Sequence, residues 1–525
     1  MASNAVVLLS LMATTPNANA QSAAPQRGGT LVMAMATEPP TLNPSITTGA
    51  PDQLIGCMIY EGLTRIGQDF RIYPMLAKSW DIGSDGLRYT FHLQSAAWQD
   101  GAPFTSKDVV FSLTNVSAKY GPVFRAAGQS IATVETPDTA TVVLTLNRPF
   151  GPLLMSLSCD LNGGILPEHV FSGTDILRGE STLWRPVGTG PFKLAEWVHG
   201  DHLTLERNAN YWQPGKPYLD KIAARFMPNP PSRVLALQAG EVDYLNEYDF
   251  PQSSYSVVKA TPALQVGESG FFADYLIILN TKRPPLDNAK VRQALMMALD
   301  RHYLAKSVFA GLGSPAQAPV DTRITWATNP DVNYDKMYPY DPGRSNALLD
   351  EVGVKRDAAG TRFTIDLVFD STRQEYGPLS LALQQFWGAV GLKVTLRGAE
   401  RPVVLKQVYS DYDFSATLQN YGTSGDPALG IARLYVTDSI RQGTNFNNVS
   451  RYSNPEVDKL FAEGQAGTSP EERGQRYRAA QLIIAHDLPT LTLQQMGEYY
   501  AASRRVHNLE LAQDQPLWSE VWIER

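Results

Sequence analysis

Cysteine is nearly absent from this chain, with two in 525 residues. That excludes a disulfide-stapled scaffold and any Cys-rich zinc module. Positive charge is also in short supply: Lys plus Arg is 45 against 52 for Asp plus Glu, a formal net charge of −7. A general nucleic-acid binder needs clustered Lys and Arg to neutralise phosphate, so that class is disfavoured. No stretch approaches the ~18 apolar residues of a membrane helix. No period of 20–50 residues recurs, which excludes solenoids and propellers. Hydrophobic residues make up 43% and charged residues 18%, so the chain is globular rather than disordered, collagen-like or coiled-coil. At ~150 residues per domain it should build about three domains, or a few interleaved ones.

Catalytic signatures are missing too. None of the seven histidines lies in an H-E-x-x-H motif, and no G-x-S-x-G elbow occurs. Gly188-Thr189-Gly190-Pro191 lacks the Gly-Lys-Ser/Thr that would complete a phosphate loop. His199-Gly200-Asp201-His202 carries a hairpin-turn signal in Gly-Asp, without the three or four converging ligands a metal needs. No metal, cofactor or enzyme activity is therefore expected. Cys57 lies inside an apolar helix pattern, and Cys57 and Cys159 read as two buried thiols, with a disulfide as the lesser alternative.

What is present begins with residues 1–20, MASNAVVLLSLMATTPNANA. A short apolar run from Ala5 to Ala13 precedes Ala18-Asn19-Ala20, the pattern of a signal peptide cleaved after Ala20, although no Lys or Arg precedes the run. The mature protein should be exported and soluble, with a flexible lead-in over 21–28. Strands are predicted at Thr30 to Ala36, around Tyr89, Phe91 and Leu93, around Val142, Leu144 and Leu146, and at Leu276 to Leu279. A helix is predicted from Asp52 to Leu63. Thr105-x-x-Asp108 is a capping box, and Asp287 should cap a helix carrying Val291, Ala294, Leu295 and Ala298. Asp341-Pro342, Asn454-Pro455 and Ser469-Pro470 each set a capping side chain before a Pro at the first helical position. Thr364 to Phe369, Leu379 to Trp387 and Leu392 to Leu396 read strand, helix, strand, which implies a partly parallel sheet.

Several segments carry a resemblance, in order along the chain. They are Pro74-Met-Leu-Ala-Lys-Ser-Trp80, Gly86-Leu-Arg-Tyr-Thr-Phe-His-Leu93 and Trp98-Gln-Asp-Gly-Ala-Pro-Phe-Thr-Ser-Lys-Asp-Val-Val-Phe-Ser112. Gly188-Thr-Gly-Pro-Phe192, Arg207-Asn-Ala-Asn-Tyr-Trp212, Pro284-Pro-Leu-Asp287, Val291-Arg-Gln-Ala294, Ala298-Leu-Asp-Arg301, Gln384-Gln-Phe-Trp387 and Asp487-Leu-Pro489 follow. Together they resemble family 5 of the extracytoplasmic substrate-binding proteins of ABC importers, the peptide/nickel/opine-binding group. The resemblance implies an α/β, two-lobe periplasmic binding protein fold with an extra subdomain. Lobe I would comprise 29–62, 186–272 and 488–525, the extra subdomain 63–185, and lobe II 273–487. It further implies a periplasmic, monomeric receptor that closes on a ligand and delivers it to membrane permease subunits, needing no catalytic residue. A peptide or peptide-like ligand is the first expectation. An opine, sugar conjugate or metal chelate is the alternative, and a secreted hydrolase the remote one.

Dipeptide and oligopeptide binders of this family hold the peptide amine with an aspartate three residues before an acidic-Pro pair. Here the pair is Asp426-Pro427, and three residues back stands Thr423, which offers no charge to a buried ammonium. Asp426 could substitute, or serve only as a turn or helix cap. Arg373, in Asp370-Ser-Thr-Arg-Gln374, is the nearest equivalent of the family's carboxylate-binding arginine, against the alternative of a solvated loop residue. Thr48 and Gly49 match a Thr/Ser-Gly turn that lies against the ligand backbone, or form an ordinary turn. Tyr421 could stack on the ligand or belong to the core.

Overall fold

In the computed structural model, residues 24–179, 185–371, 373, 375–422, 425–509 and 515–525 are described. The signal-peptide reading of residues 1–20 lies outside them. β-Branched and aromatic runs assemble an 11-stranded mixed sheet through the middle of the molecule. Its spatial order is Leu392–Ala399, Phe363–Asp370, Ala416–Gly422, Leu264–Leu279, Thr490–Ser503, Tyr244–Leu245, Thr30–Met35, Lys221–Phe226, His202–Arg207 and Phe192–Val198, with Ser314–Pro315 added on Thr490–Ser503.

Two strands of this sheet are unusually long. Leu264–Leu279 has 16 residues and Thr490–Ser503 has 14. They pair antiparallel from Leu264↔Ser503 to Ile278↔Thr490, with the register slipping between Glu268 and Phe272. Such a slip bends a strand and increases its twist. On one side of the slip the neighbour is Tyr244–Leu245, and on the other it is Ala416–Gly422. The pair therefore runs out of one hydrophobic core and into another, and the molecule has two lobes joined by it.

The first core gathers Leu31, Met33, Ile55, Met58, Leu203 and Ile222. The second covers both faces of its sheet. Ile277 and Leu279 pack on one side with Val291, Leu295, Leu367 and Trp387, while Leu276 and Ile278 pack on the other with Leu434, Phe461 and Ile484. Period-two alternation with both faces buried explains why Leu276–Leu279 reads as an unbroken apolar run. Phe363–Asp370 pairs parallel with Leu392–Ala399 across the helix Tyr376–Ala389, as the strand–helix–strand pattern predicts. An antiparallel sheet of Ala77–Ile82, Arg88–Leu93, Thr141–Leu146 and Ile131–Asp138 forms a separate core around Phe91, Trp98, Val142 and Leu144.

The capping box at Thr105 and Asp108 forms, and Asp341, Asn454 and Ser469 each cap a helix with Pro in its first turn. Two expectations are corrected. Asn288, not Asp287, caps the helix Ala289–Met297, because it is Asn288 whose side chain accepts from the Lys290 amide. Cys57 and Cys159 are not free thiols but a disulfide, with Cα atoms 5.9 Å apart and 102 residues between them in sequence. The bond ties the helix Ala50–Ile59 to the turn Cys159–Leu161. An apolar helix pattern around Cys57 describes local burial and is silent about a partner brought in by the fold. His199–His202 is a hairpin turn with Gly200 at φ +74°, and no group of three metal-ligating side chains occurs among the described residues.

Candidate functional site

The loop that leaves the strand Phe363–Asp370 carries Arg373. Its Nε donates to Glu375 Oε1 at 2.7 Å and its Nη2 to the Tyr275 hydroxyl at 3.4 Å, and its guanidinium lies 5.3 Å from the Tyr376 ring centre. Burial works against the charge, but Tyr376, Glu375 and Tyr275 outweigh it and hold Arg373 above the ordinary arginine range. Arg373 lines a cavity of about 90 Å3 with Asp370, Arg401, Gln419, Asn420 and Phe446. Arg401 stacks over Phe446 at 5.5 Å, so two guanidinium groups border one space. Glu498, on the second long strand, is pushed up to about 7 by burial, with Arg373 opposing and Glu375 reinforcing the shift.

Thr48 and Gly49 sit at the start of the helix Ala50–Ile59, where Gly49 is the N-cap. The Thr47 hydroxyl donates to Asp52 Oδ2 at 3.1 Å and accepts from the Gly49 amide at 2.9 Å. A Cβ on Gly49 would come within 2.3 Å of Asp52 Oδ2, so a side chain there would push the Asp52 carboxyl from its bond to Thr47. Thr48 lines a second cavity, of about 170 Å3, with Gln53, Asp160, Asn246, Glu247, Tyr248 and Gln515. Asp160 Oδ1 accepts from Gln515 Nε2 at 2.8 Å, and burial raises the Asp160 carboxyl to about 6. This wall presents two carboxylates and, among the described lining residues, no Lys or Arg. The opposite lobe's cavity presents two arginines.

Tyr421 and Asp426 sit deeper. Tyr421 is 2% exposed, its hydroxyl hydrogen-bonds the Tyr409 hydroxyl at 2.8 Å, and it packs in the second lobe's core. Asp426 is also 2% exposed. Arg473 donates to its Oδ1 at 2.8 Å and lies 2.7 Å from its Oδ2, while the Ala428 amide donates to Oδ1 at 2.9 Å. The carboxylate is thus engaged within its own lobe, as a turn cap and ion-pair partner. Thr423 lies outside the described residues. The loop after Asp426 reaches the extra subdomain: Leu429 packs against Ile66, Met155 and Leu161, and Leu161 borders the Thr48 cavity. The Gly151 amide donates to the Gln465 carbonyl at 2.7 Å, so subdomain and second lobe also touch there.

Arg373 and Thr48 thus line cavities and Gly49 stands between two lining residues, Thr48 and Ala50, whereas Tyr421 and Asp426 lie in packed surroundings. Sequence reasoning missed Asp160, Glu247, Arg401 and Gln515. Asp160 carries one usable signal, its position beside a cysteine; the others stand in no motif.

The sequence profile of the bacterial extracellular solute-binding proteins, family 5 Middle, matches residues 71–442. A Brucella ovis protein assigned as an ABC transporter peptide-binding protein is 30% identical over 446 residues, covering 82% of this chain and 80% of the relative. The glutathione-binding protein GsiB of Escherichia coli O1:K1 / APEC is 28% identical over 474 residues, covering 88% of each. Among solved structures, HbpA2 from Haemophilus parasuis superposes with a TM-score of 0.82 at 25% identity, over 95% of this chain and 100% of that one.

Proposed function

The chain belongs to family 5 of the bacterial extracellular solute-binding proteins, and from that premise we propose that it is the exported, soluble receptor of an ABC importer. It traps a peptide or peptide-like polar ligand between its lobes and presents it to the permease subunits at the membrane. The family and the relatives are binding proteins rather than enzymes. Lobe I is taken as 29–62, 186–272 and 488–525, the subdomain as 63–185 and lobe II as 273–487. The long strand pair acts as the hinge, since two antiparallel strands with a register slip can bend there without breaking either core.

One observation supports the ligand class: the lobe I cavity is lined by two carboxylates and no Lys or Arg among the described residues, while the lobe II cavity is lined by two arginines and one carboxylate, Asp370. Arg373 and Arg401 suit a carboxylate, and a guanidinium can grip one bidentately. Asp160 and Glu247 suit a positive or hydrogen-bond-donating group. A ligand with both ends, such as a short peptide, spans the two. The Thr423 substitution favours a second reading, an anionic peptide-like ligand held mainly through its carboxylates. The receptor works as a monomer and needs no cofactor, because closure alone signals occupancy.

Native mass spectrometry of protein purified without denaturation should reveal a retained ligand bearing a carboxylate. Adding such a ligand at 100 times its Kd should stabilise the protein by ~2.7 kcal/mol, and small-angle scattering should show a smaller radius of gyration. A tight ligand that changes neither shape nor melting temperature would refute the trap.

A further inference from the structure

A third cavity, of about 250 Å3, opens where the turn Gln252–Ser254 faces the segment Val308–Leu312. Its walls are mostly apolar: Tyr275, Phe309, Leu312, Pro378 and Met496. The Phe309 ring meets Tyr275 edge-on at 4.9 Å, which fixes both rings. The turn and Met496 come from lobe I and the rest of the apolar wall from lobe II, so the cavity is bounded by both halves of the hinge. Its inner edge is shared with the arginine site. Glu375 lines this cavity and accepts from Arg373 Nε, while the Tyr275 hydroxyl stands 3.4 Å from both Arg373 Nη2 and Glu375 Oε1.

We propose that this cavity is a side-chain subsite that receives an apolar or aromatic side chain of the ligand whose carboxylate Arg373 holds. The assignment rests on the ligand reading above and narrows it. An unfilled apolar cavity forgoes the contacts its lining could make, and an apolar side chain restores them. The carboxylate that lines the cavity sets the exclusion. An acidic side chain would meet Glu375. A cationic one would compete with Arg373 for Glu375, the partner that Arg373 already has. A nonpolar side chain conflicts with neither.

The test uses ligand-stripped protein and four probes: Ala-Ala, Ala-Phe, propionate and 3-phenylpropionate. The last two carry a carboxylate without an amine or a peptide bond. Calorimetric titration should show each aromatic probe binding about tenfold or more tighter than its small counterpart. Ser253→Trp, at an exposed position on the lobe I side, and Val308→Trp, on the lobe II side, should each collapse that ratio towards one by filling the space; circular dichroism and melting verify that both are folded. If the dipeptides fail to bind but 3-phenylpropionate still outbinds propionate, and Ser253→Trp abolishes the difference, the peptide reading falls and the subsite stands. If neither aromatic probe is preferred by the wild type, or both tryptophan variants keep the preference, the subsite assignment is overturned.

Discussion

Two arginines in the second lobe, each paired with a carboxylate, sit in different surroundings. Arg473 is almost fully enclosed against Asp426, with side-chain exposures of 8% and 2%. It also donates to the Gly464 carbonyl and the Tyr477 hydroxyl and stacks 5.1 Å from Trp326. Arg373 and Glu375 keep 29% and 24% of their side chains exposed and border cavities. A buried pair whose hydrogen-bonding capacity is spent inside the protein holds structure together, because losing one partner strands a charge away from water. A pair at the edge of a space can exchange part of its partnership for a ligand at little cost. Burial and saturation, not residue type, separate the two pairs.

The comparison breaks most sharply at Asp426. Asp426→Ala should destabilise the protein by ~3–5 kcal/mol in urea unfolding, because Arg473 is left charged, buried and short of a partner. If instead stability holds and ligand affinity collapses, Asp426 is the ligand's anchor and the division between the pairs is wrong. The Cys57→Ser/Cys159→Ser double variant should lose about 4–5 kcal/mol of stability, from the 102-residue separation that the disulfide closes. It should also weaken ligand binding, since the bond anchors the turn that carries Asp160. Arg373→Ala should do the reverse of Asp426→Ala. We expect a stability change under ~1 kcal/mol for this partly exposed pair and a roughly hundredfold loss of affinity for Ala-Phe, equivalent to about 2.7 kcal/mol.

The smallest effect is one of pH. Glu498 titrates near 7 in the folded protein against 4.5 for an ordinary glutamate, so folding favours its neutral form. Its contribution to stability is therefore complete below the unfolded value and is lost as pH rises through 7. Glu498→Gln stays neutral, so it should remove about 2 kcal/mol of the stability decline between about pH 5 and about pH 8. Denaturation midpoints of both proteins across that range measure it; parallel profiles would show that Glu498 ionises freely.

Local chemistry was legible wherever the responsible atoms are neighbours in sequence. The capping box at Thr105 and Asp108, the Pro-led helices after Asp341, Asn454 and Ser469, and the hairpin at Gly200 all depend on atoms within a few residues. The cap at Asn288 shows the margin of error, since an adjacent Asp offers nearly the same chemistry. The site was legible only in part. Arg373 and Thr48, which motif order singles out, line cavities, whereas Asp160 and Arg401 reach theirs only because distant segments converge.

By itself, then, the sequence determined the family, the mixed α/β character and the alternating patterns that bury the strands on either side of the hinge. Periodicity and caps encode these directly in the order of side chains. Only the tertiary structure decided that Cys57 meets Cys159, that Asp426 belongs to Arg473, and that carboxylates and guanidinium groups face cavities on opposite lobes. Those outcomes depend on which segments the folded sheet brings within a few ångströms of one another, and on whether water is shut out when they meet. Neither quantity is a property of any local stretch of chain.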